Sequence, residues 1–474
     1  MPVATIGTPV ARKDGVDKVT GHAKYALDQK SGRGMAHAVL VTSIVPKGRI
    51  RSIDASAALE MPGVLLVLTH ANMDRLTPIK PFSAGGQAQT GFMPMRSDEV
   101  RYHGQIVAET ADAAGDASGK VEVDIAPAPV VVGFRAPGAS SKPARGYEAP
   151  VKGDADAAFA AAPVKLDAAY TTAVNHHNPI ERYATIAAWR GDELTLYEPS
   201  QWVSGLRSGI SAQLGIPTEK VHVVSPYVGG GFGGKATVMP HTVLVAVAAR
   251  RLGRPVGLAV RRSQMFTVAS FRPASRQRVG LAADRQGKFA ALLYDAEGQT
   301  SRSDDMLLPG SEIVTRVYGW PTMRTSERLV ETDTNTPGCM RSPMEVPSMF
   351  ALESAIDELA VELGIDPVEL GLRNDTRVDP VKGVPFSSRS LDGCLTRGAE
   401  LFGWAKRDPR PGSMRHEDGS LMGWGVPGRT AATFGRARSP APICPRTTAD
   451  GGGTGVGPVG PVRPTRPGMG RTGP

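Results

Sequence analysis

Cysteine is scarce in this chain of 474 residues, which holds only Cys339, Cys394 and Cys444. So few, so widely spaced, exclude a disulfide framework and a zinc site. They also exclude an iron–sulfur cluster ligated by this chain, because a cluster takes four ligands, usually cysteines. No apolar run approaches the ~20 residues that cross a bilayer, which argues against a membrane span. The opening MPVATIGTPVARKDG lacks the hydrophobic centre of a secretory signal, so the chain by itself reads as cytoplasmic. Aromatics make up 5% of the residues, and no glutamate occurs after residue 425.

One charge is in excess, yet the excess is local. The formal net charge is +9, and between Gly425 and Pro474 seven arginines face a single acid, Asp450. That segment supplies +6 and leaves +3 for residues 1–424. The body is nearly balanced and has no basic stripe with interleaved aromatics, so nucleic acid is not an expected partner.

Residues 1–135 alternate short apolar runs (Ala36–Val41, Val64–Leu68, Val130–Val132) with turns, as a mixed α/β domain does. Residues 136–150, rich in proline, glycine and serine, read as a linker. Strands are predicted at Thr185–Trp189, Leu194–Tyr197 and Val221–Val224, and a helix at Val243–Leu252 that stops at Gly253. The clearest helix is Pro347–Gly364, where Leu352, Ile356, Leu359 and Leu363 recur on one face. Asp366, Pro367 and Glu369 then supply an N-cap, a first-turn proline and a capping-box glutamate. Residues 426–474 are dominated by glycine, proline and arginine and cannot build a core.

What the chain does have is VHVVSPYVGGGFGGK, from Val221 to Lys235. A valine-rich strand ends in glycines around one aromatic, Phe232. Glycine at that density lets the backbone turn through positive φ and bring free N–H groups to an anion or oxo group. Three readings compete. Gly229, Gly231 and Gly234 fit G-x-G-x-x-G, and Gly229–Lys235 fits G-x-x-x-x-G-K. Ala236 stands where a P-loop needs Ser or Thr, and Pro240 sets the next helix several residues further on, away from a phosphate. The remaining readings are a structural glycine turn, with Phe232 in the core, and a loop closing on another cofactor.

Several segments, in order, carry a resemblance. Gly7–Tyr25 and Ile50–Leu68 precede His177–Glu181 (HNPIE), Pro199–Gln201 (PSQ), the glycine loop, Met340–Pro343 (MRSP) and Phe350–Asn374. Together they resemble the large subunit of the xanthine dehydrogenase/aldehyde oxidase family of molybdenum hydroxylases, from about residue 5 to about residue 425. The resemblance implies an α+β fold. Residues 1–135 would be the family's α/β hammerhead domain, and residues 151–425 the first part of its molybdopterin-binding domain. It implies a molybdenum–molybdopterin cofactor, in the cytosine dinucleotide form, and separate iron–sulfur and FAD subunits, with neither group in this chain. A periplasmic location through a partner's signal stays open.

By the same resemblance Gln201 matches the glutamine that hydrogen-bonds a molybdenum oxygen. Phe232 and Gly233 match the backbone beside the metal's apical oxygen, with Gly230, Gly231 and Gly234 shaping the cradle. Arg341 matches the arginine beside the reaction centre, where a guanidinium can stabilise charge developing on a substrate oxygen. The plainer readings are a glutamine ending a strand, a glycine-rich bend and a solvated arginine. His176, His177 and Glu181 have no standard metal-ligand spacing.

The departures are specific. Ala236 replaces the glutamate with which purine-oxidising members grip the heterocycle, which points to aldehydes or other N-heterocycles. Arg182 stands where a proline is usual. Gly104–Asp124 is several residues short, which threatens the hammerhead core. The family's catalytic glutamate has no counterpart, and the resemblance stops near residue 426. A frameshift there is the expectation, and with it a truncated chain that cannot turn over alone. The alternative from another class is an inactive fragment acting as a scaffold or partner-binding protein.

Overall fold

The structure, a computed structural model, describes residues 8–29, 34–112 and 117–426. Cys444 and the expectations for the tail from residue 427 onward lie outside the described residues. The fold is α+β, as expected.

Before residue 136 the strands are β1 (Ala36–Thr42), β2 (Gly48–Asp54), β3 (Val64–Thr69), β4 (Glu99–Val100), β5 (Ile106–Asp112) and β6 (Glu122–Pro127). Next come β7 (Ser140–Pro143), β8 (Val151–Lys152), β9 (Val164–Thr172), β10 (Ala184–Arg190), β11 (Glu193–Tyr197) and β12 (Val221–Val224). The last are β13 (Val256–Ala259), β14 (Ser275–Ala283), β15 (Phe289–Ser301) and β16 (Thr322–Thr332). They form a seven-stranded sheet in the order β12-β11-β10-β13-β1-β5-β3. A six-stranded sheet runs β7-β16-β15-β14-β9 with β8 also on β16, and β4-β2-β6 make a third.

The seven-stranded sheet draws on both sides of the 136–150 segment, because β1 pairs with β13 in parallel, Ala36 opposite Val256. Strand β7 lies within that segment and pairs with β16, so the stretch read as a linker is partly sheet. Val130–Val132 is not a strand. Its Val131 is tied instead to Asp333, whose carboxylate and backbone both bond it.

Helix Pro240–Leu252 begins at its proline and packs on β10 and β13. Residues Pro240 through Ala249 are all buried, the pattern of a helix enclosed on every side. Helix Glu345–Leu363 packs on β9 and β14, burying Leu352, Ile356 and Leu359, and ends at Gly364 with φ 67°. Asp366 caps the next helix through Val368 and Glu369 N–H. Glu369 itself bonds Arg373 one turn on instead of closing a capping box.

The Gly104–Asp124 segment contains β5, with Glu109 at its centre. Glu109 is 0% exposed, and neither carboxylate oxygen has a hydrogen-bond partner among the described residues. Burial pushes its pKa up to about 8. A charged-type side chain sits in β5, a strand whose residues are all buried and which is flanked on its two sides by β1 and β3.

Candidate functional site

Strands β11 and β12 are parallel neighbours, with Tyr197 opposite Val224, joined through helix Val203–Leu214. The loops leaving their C-terminal ends therefore emerge side by side, the usual position of a ligand site on parallel strands. One loop is Pro199–Gln201; the other is the glycine loop. Ser200 N–H donates to Ser225 Oγ at 2.9 Å, which stitches the two together.

Gln201 is the main link. Its Oε1 accepts from Gly233 N–H at 3.0 Å and Lys235 N–H at 3.2 Å, and its backbone N–H donates to Lys235 O at 2.8 Å. With Oε1 committed to the loop, Nε2 is left as the donor end, and it has no partner among the described residues. Behind it, buried Glu198 accepts from Thr185 and Thr242 hydroxyls at 2.6 and 3.0 Å. Burial pushes the Glu198 pKa up to about 7 against those two bonds.

The glycine loop turns through φ 94° at Gly230, 53° at Phe232 and 99° at Gly233. Phe232 is 42% exposed, so it is not a core residue. A Cβ on Gly231 would overlap Gln201, on Gly233 the Cys339 carbonyl, and on Gly234 the Tyr183 hydroxyl. The glycines are thus required first by loop-on-loop packing, a reason beyond the close approach to a cofactor that the sequence suggested. Among the described residues the N–H groups of Gly230, Gly231 and Phe232 make no hydrogen bond within the chain. Three successive backbone donors and one side-chain amide suit an anionic or oxo-bearing group.

Lys235 turns inward. Its Nζ bonds Glu181 Oε2 at 2.9 Å and Glu181 O at 3.0 Å, while Glu181 Oε2 also accepts from Gly229 N–H at 2.6 Å. Burial lowers the Lys235 pKa, and Glu181 opposes it. This lysine closes the loop on itself and is not presented to a phosphate, and the following helix starts only at Pro240. His177 Nε2 bonds Cys339 O at 2.8 Å, and His176 packs edge-on against Phe266. Neither imidazole joins Glu181 at a metal-like cluster among the described residues.

Arg341 arrives from a distant segment. Its N–H donates to Phe232 O at 2.9 Å, which sets the MRSP loop against the glycine loop. Its side chain is exposed, with no partner among the described residues. A cleft lined by Phe82, Gly233, Ala236, Met306 and Cys339 opens here. The structure thus brings Gln201, Gly230–Gly234 and Arg341 into one cluster. Sequence reasoning missed Arg272, a buried arginine against the MRSP loop. Its signal in the sequence is only an arginine within an otherwise uncharged stretch, Thr267–Ala274.

Comparisons with known proteins bear on the same residues. The aldehyde oxidase and xanthine dehydrogenase a/b hammerhead domain family matches residues 20–129, and the molybdopterin cofactor-binding domain family matches residues 140–375. The chain is 36% identical over 442 residues to the aldehyde oxidoreductase molybdenum-binding subunit PaoC of Escherichia coli K12, covering 89% of this chain and 57% of that protein. It is 28% identical to the putative xanthine dehydrogenase molybdenum-binding subunit XdhA of the same organism, over 84% of this chain and 56% of XdhA. The solved aldehyde oxidoreductase from Desulfovibrio gigas superposes with a TM-score of 0.75 at 27% identity, over 84% of this chain and 47% of that one. The chain spans about half the length of the relatives it matches. With the order of the motifs, the two domain matches and the fold in agreement, the chain belongs to the xanthine dehydrogenase/aldehyde oxidase family of molybdenum hydroxylases, in the molybdopterin-binding part of its large subunit.

Proposed function

We propose that this chain forms the cofactor-holding face of a molybdenum-dependent hydroxylase that oxidises an aldehyde, or else an N-heterocycle, with water as the oxygen source. The observation that carries the reading is the direct hydrogen bonding of Gln201 to Gly233 and of Arg341 to Phe232, which joins three separate motifs in one cluster. Gln201 Nε2 and the N–H groups of Gly230, Gly231 and Phe232 would hold a molybdenum–molybdopterin, taken to be the cytosine dinucleotide form. When bound, that group supplies the two-electron oxidation of an electrophilic carbon. The Arg341 guanidinium stabilises negative charge on a substrate oxygen. Ala236 gives the neighbouring cleft a small uncharged wall, which favours an aldehyde over a purine gripped by a carboxylate.

Residues 1–135 and 151–425 are the two domains in this reading. Electrons leave to separate iron–sulfur and FAD subunits in the cytoplasm, a division supported by the "molybdenum-binding subunit" naming of PaoC. A second reading, a catalytically inactive scaffold or partner-binding protein, is favoured by the core Glu109 carboxyl, which has no hydrogen-bond partner among the described residues. Molybdenum and pterin content of the purified chain, beside aldehyde-dependent dye reduction with partner subunits, separates the two. A folded chain that carries neither metal nor pterin would rule out the first.

A further inference from the structure

Five consecutive carbonyls, from Cys339 to Pro343, each accept a hydrogen bond from a buried side chain. His177 Nε2 donates to Cys339 O at 2.8 Å. Arg272 takes the other four. Its Nη2 donates to Met340 O at 2.7 Å and Arg341 O at 2.6 Å, and its Nη1 to Ser342 O at 2.9 Å and Pro343 O at 3.1 Å. Both donors are 5% exposed. A carbonyl can only accept, so the His177 ring carries its proton on Nε2.

The two side chains share one root. Arg272 and Asn175 exchange backbone hydrogen bonds at 2.8 and 3.1 Å, which places Arg272 across from the strand end that leads to His177. A planar guanidinium can reach four acceptors at once, whereas an ammonium is a point charge with three donors. The loop it holds is not one the chain adopts by default, since Ser342 has φ 56°. On the opposite side, Arg341 N–H is bonded to Phe232 O at 2.9 Å.

We infer that His177 and Arg272 are positioning residues: they fix the 339–343 loop so that the peptide of Arg341 stays docked on Phe232 beside the glycine cradle. The inference rests on the role proposed for Arg341, but its physical content is separable. Each acts through the loop carbonyls, and the His177 ring also lies beside Gly234, where an added Cβ would come within 2.9 Å of it.

Cys339 reports on the loop from within, and Cys394 serves as a reference thiol in the same molecule. Peptide-resolved iodoacetamide labelling of the full-length chain therefore tests the idea without any cofactor. Loss of a hydrogen bond from the charged Arg272 is expected to speed Cys339 labelling by about tenfold or more, and loss of the neutral His177 bond by about threefold or more. Arg272→Lys and His177→Leu should both do so, with Cys394 unchanged, and Arg341 amide exchange should quicken in parallel. His177→Gln keeps a donor and should restore the parental rate. Cys339 rates within about twofold of the parent in Arg272→Lys and His177→Leu, with parental circular dichroism, would overturn it. If the Arg272 variants do not fold, the His177 pair decides: equal rates for Leu and Gln also overturn it. Molybdenum content, measured separately, tells failure of this inference from failure of the proposed function.

Discussion

Lys235 Nζ lies 2.9 Å from Glu181 Oε2, with only 1% of the lysine side chain and 14% of the glutamate exposed. The pair locks the two ends of the glycine loop, since Glu181 also holds Gly229 N–H. Breaking such a pair leaves a buried charge without its partner. Lys235→Met should therefore destabilise the protein by about 3 kcal/mol or more, measured by urea denaturation. Adding nucleotide should not restore the loss, and stabilisation by ATP that requires Lys235 would revive the phosphate-loop reading.

Gln201 has two separable tasks, one for each end of its amide. Gln201→Glu keeps an acceptor for Gly233 and Lys235 N–H but removes the Nε2 donor. Melting should stay near the parent's while molybdenum content falls. Gln201→Leu removes the acceptor too and should cost about 1–3 kcal/mol, because two loop N–H groups lose their partner. Equal molybdenum content in parent and Gln201→Glu protein would count against a role for Nε2.

Gly233→Ala tests the packing of one loop on the other. The added Cβ would run into the Cys339 carbonyl at a residue with φ 99°. A loss of roughly 3 kcal/mol is expected from overlap and backbone strain together. Gly253→Ala is the control, with φ 60° and nothing within 4 Å of the new Cβ. It should lose only ~1–2 kcal/mol, the conformational part alone. Calorimetric melting of both variants gives the comparison.

Stability should fall as pH rises from about 6.5 to about 8. Burial holds the Glu109 pKa up at about 8, and those of Glu198 and Glu327 at about 7, against 4.5 for the ordinary carboxyl. Over this window the unfolded chain has released protons that the native state retains, so the native state loses ground as pH climbs. Below about 6.5 buried His241, whose pKa is lowered to about 3, works in the opposite sense. Glu109→Leu should flatten the decline and raise the melting temperature at pH 8, with a gain on the order of 2 kcal/mol or more. A melting curve that improves between pH 6.5 and 8 would contradict the assignment.

Local order was legible in the sequence where one segment decides its own fate. The leucines and isoleucine of Glu345–Leu363 sit on a 3.6-residue repeat, and the valines of β12 alternate into a strand at the predicted residues. The glycine loop stood out by its density of glycine, whereas Gln201 and Arg341 could be picked out only because PSQ and MRSP resemble the family's blocks. What stayed hidden depends on partners far along the chain. Arg272 looks like any arginine until the carbonyls of Met340–Pro343 are folded over it. Ser140–Pro143, polar and ending in proline, has little strand character of its own; it becomes β7 because β16 offers it an edge. Nor could the sequence say that Glu181, in a motif near His177, would serve Lys235 rather than a metal.

The parallel pairing of β1 with β13 also sets a clock on biosynthesis. More than 200 residues separate Thr42 from Val256. At ~5–20 residues per second, a ribosome delivers β13 roughly 10–40 s after β1 has emerged. During that interval the edge of β1 that β13 will cover remains open to any other strand. The nascent chain is most exposed to misassembly before its sheet can close, so a chaperone that shields strand edges should raise yield more than slower denaturant removal does in refolding.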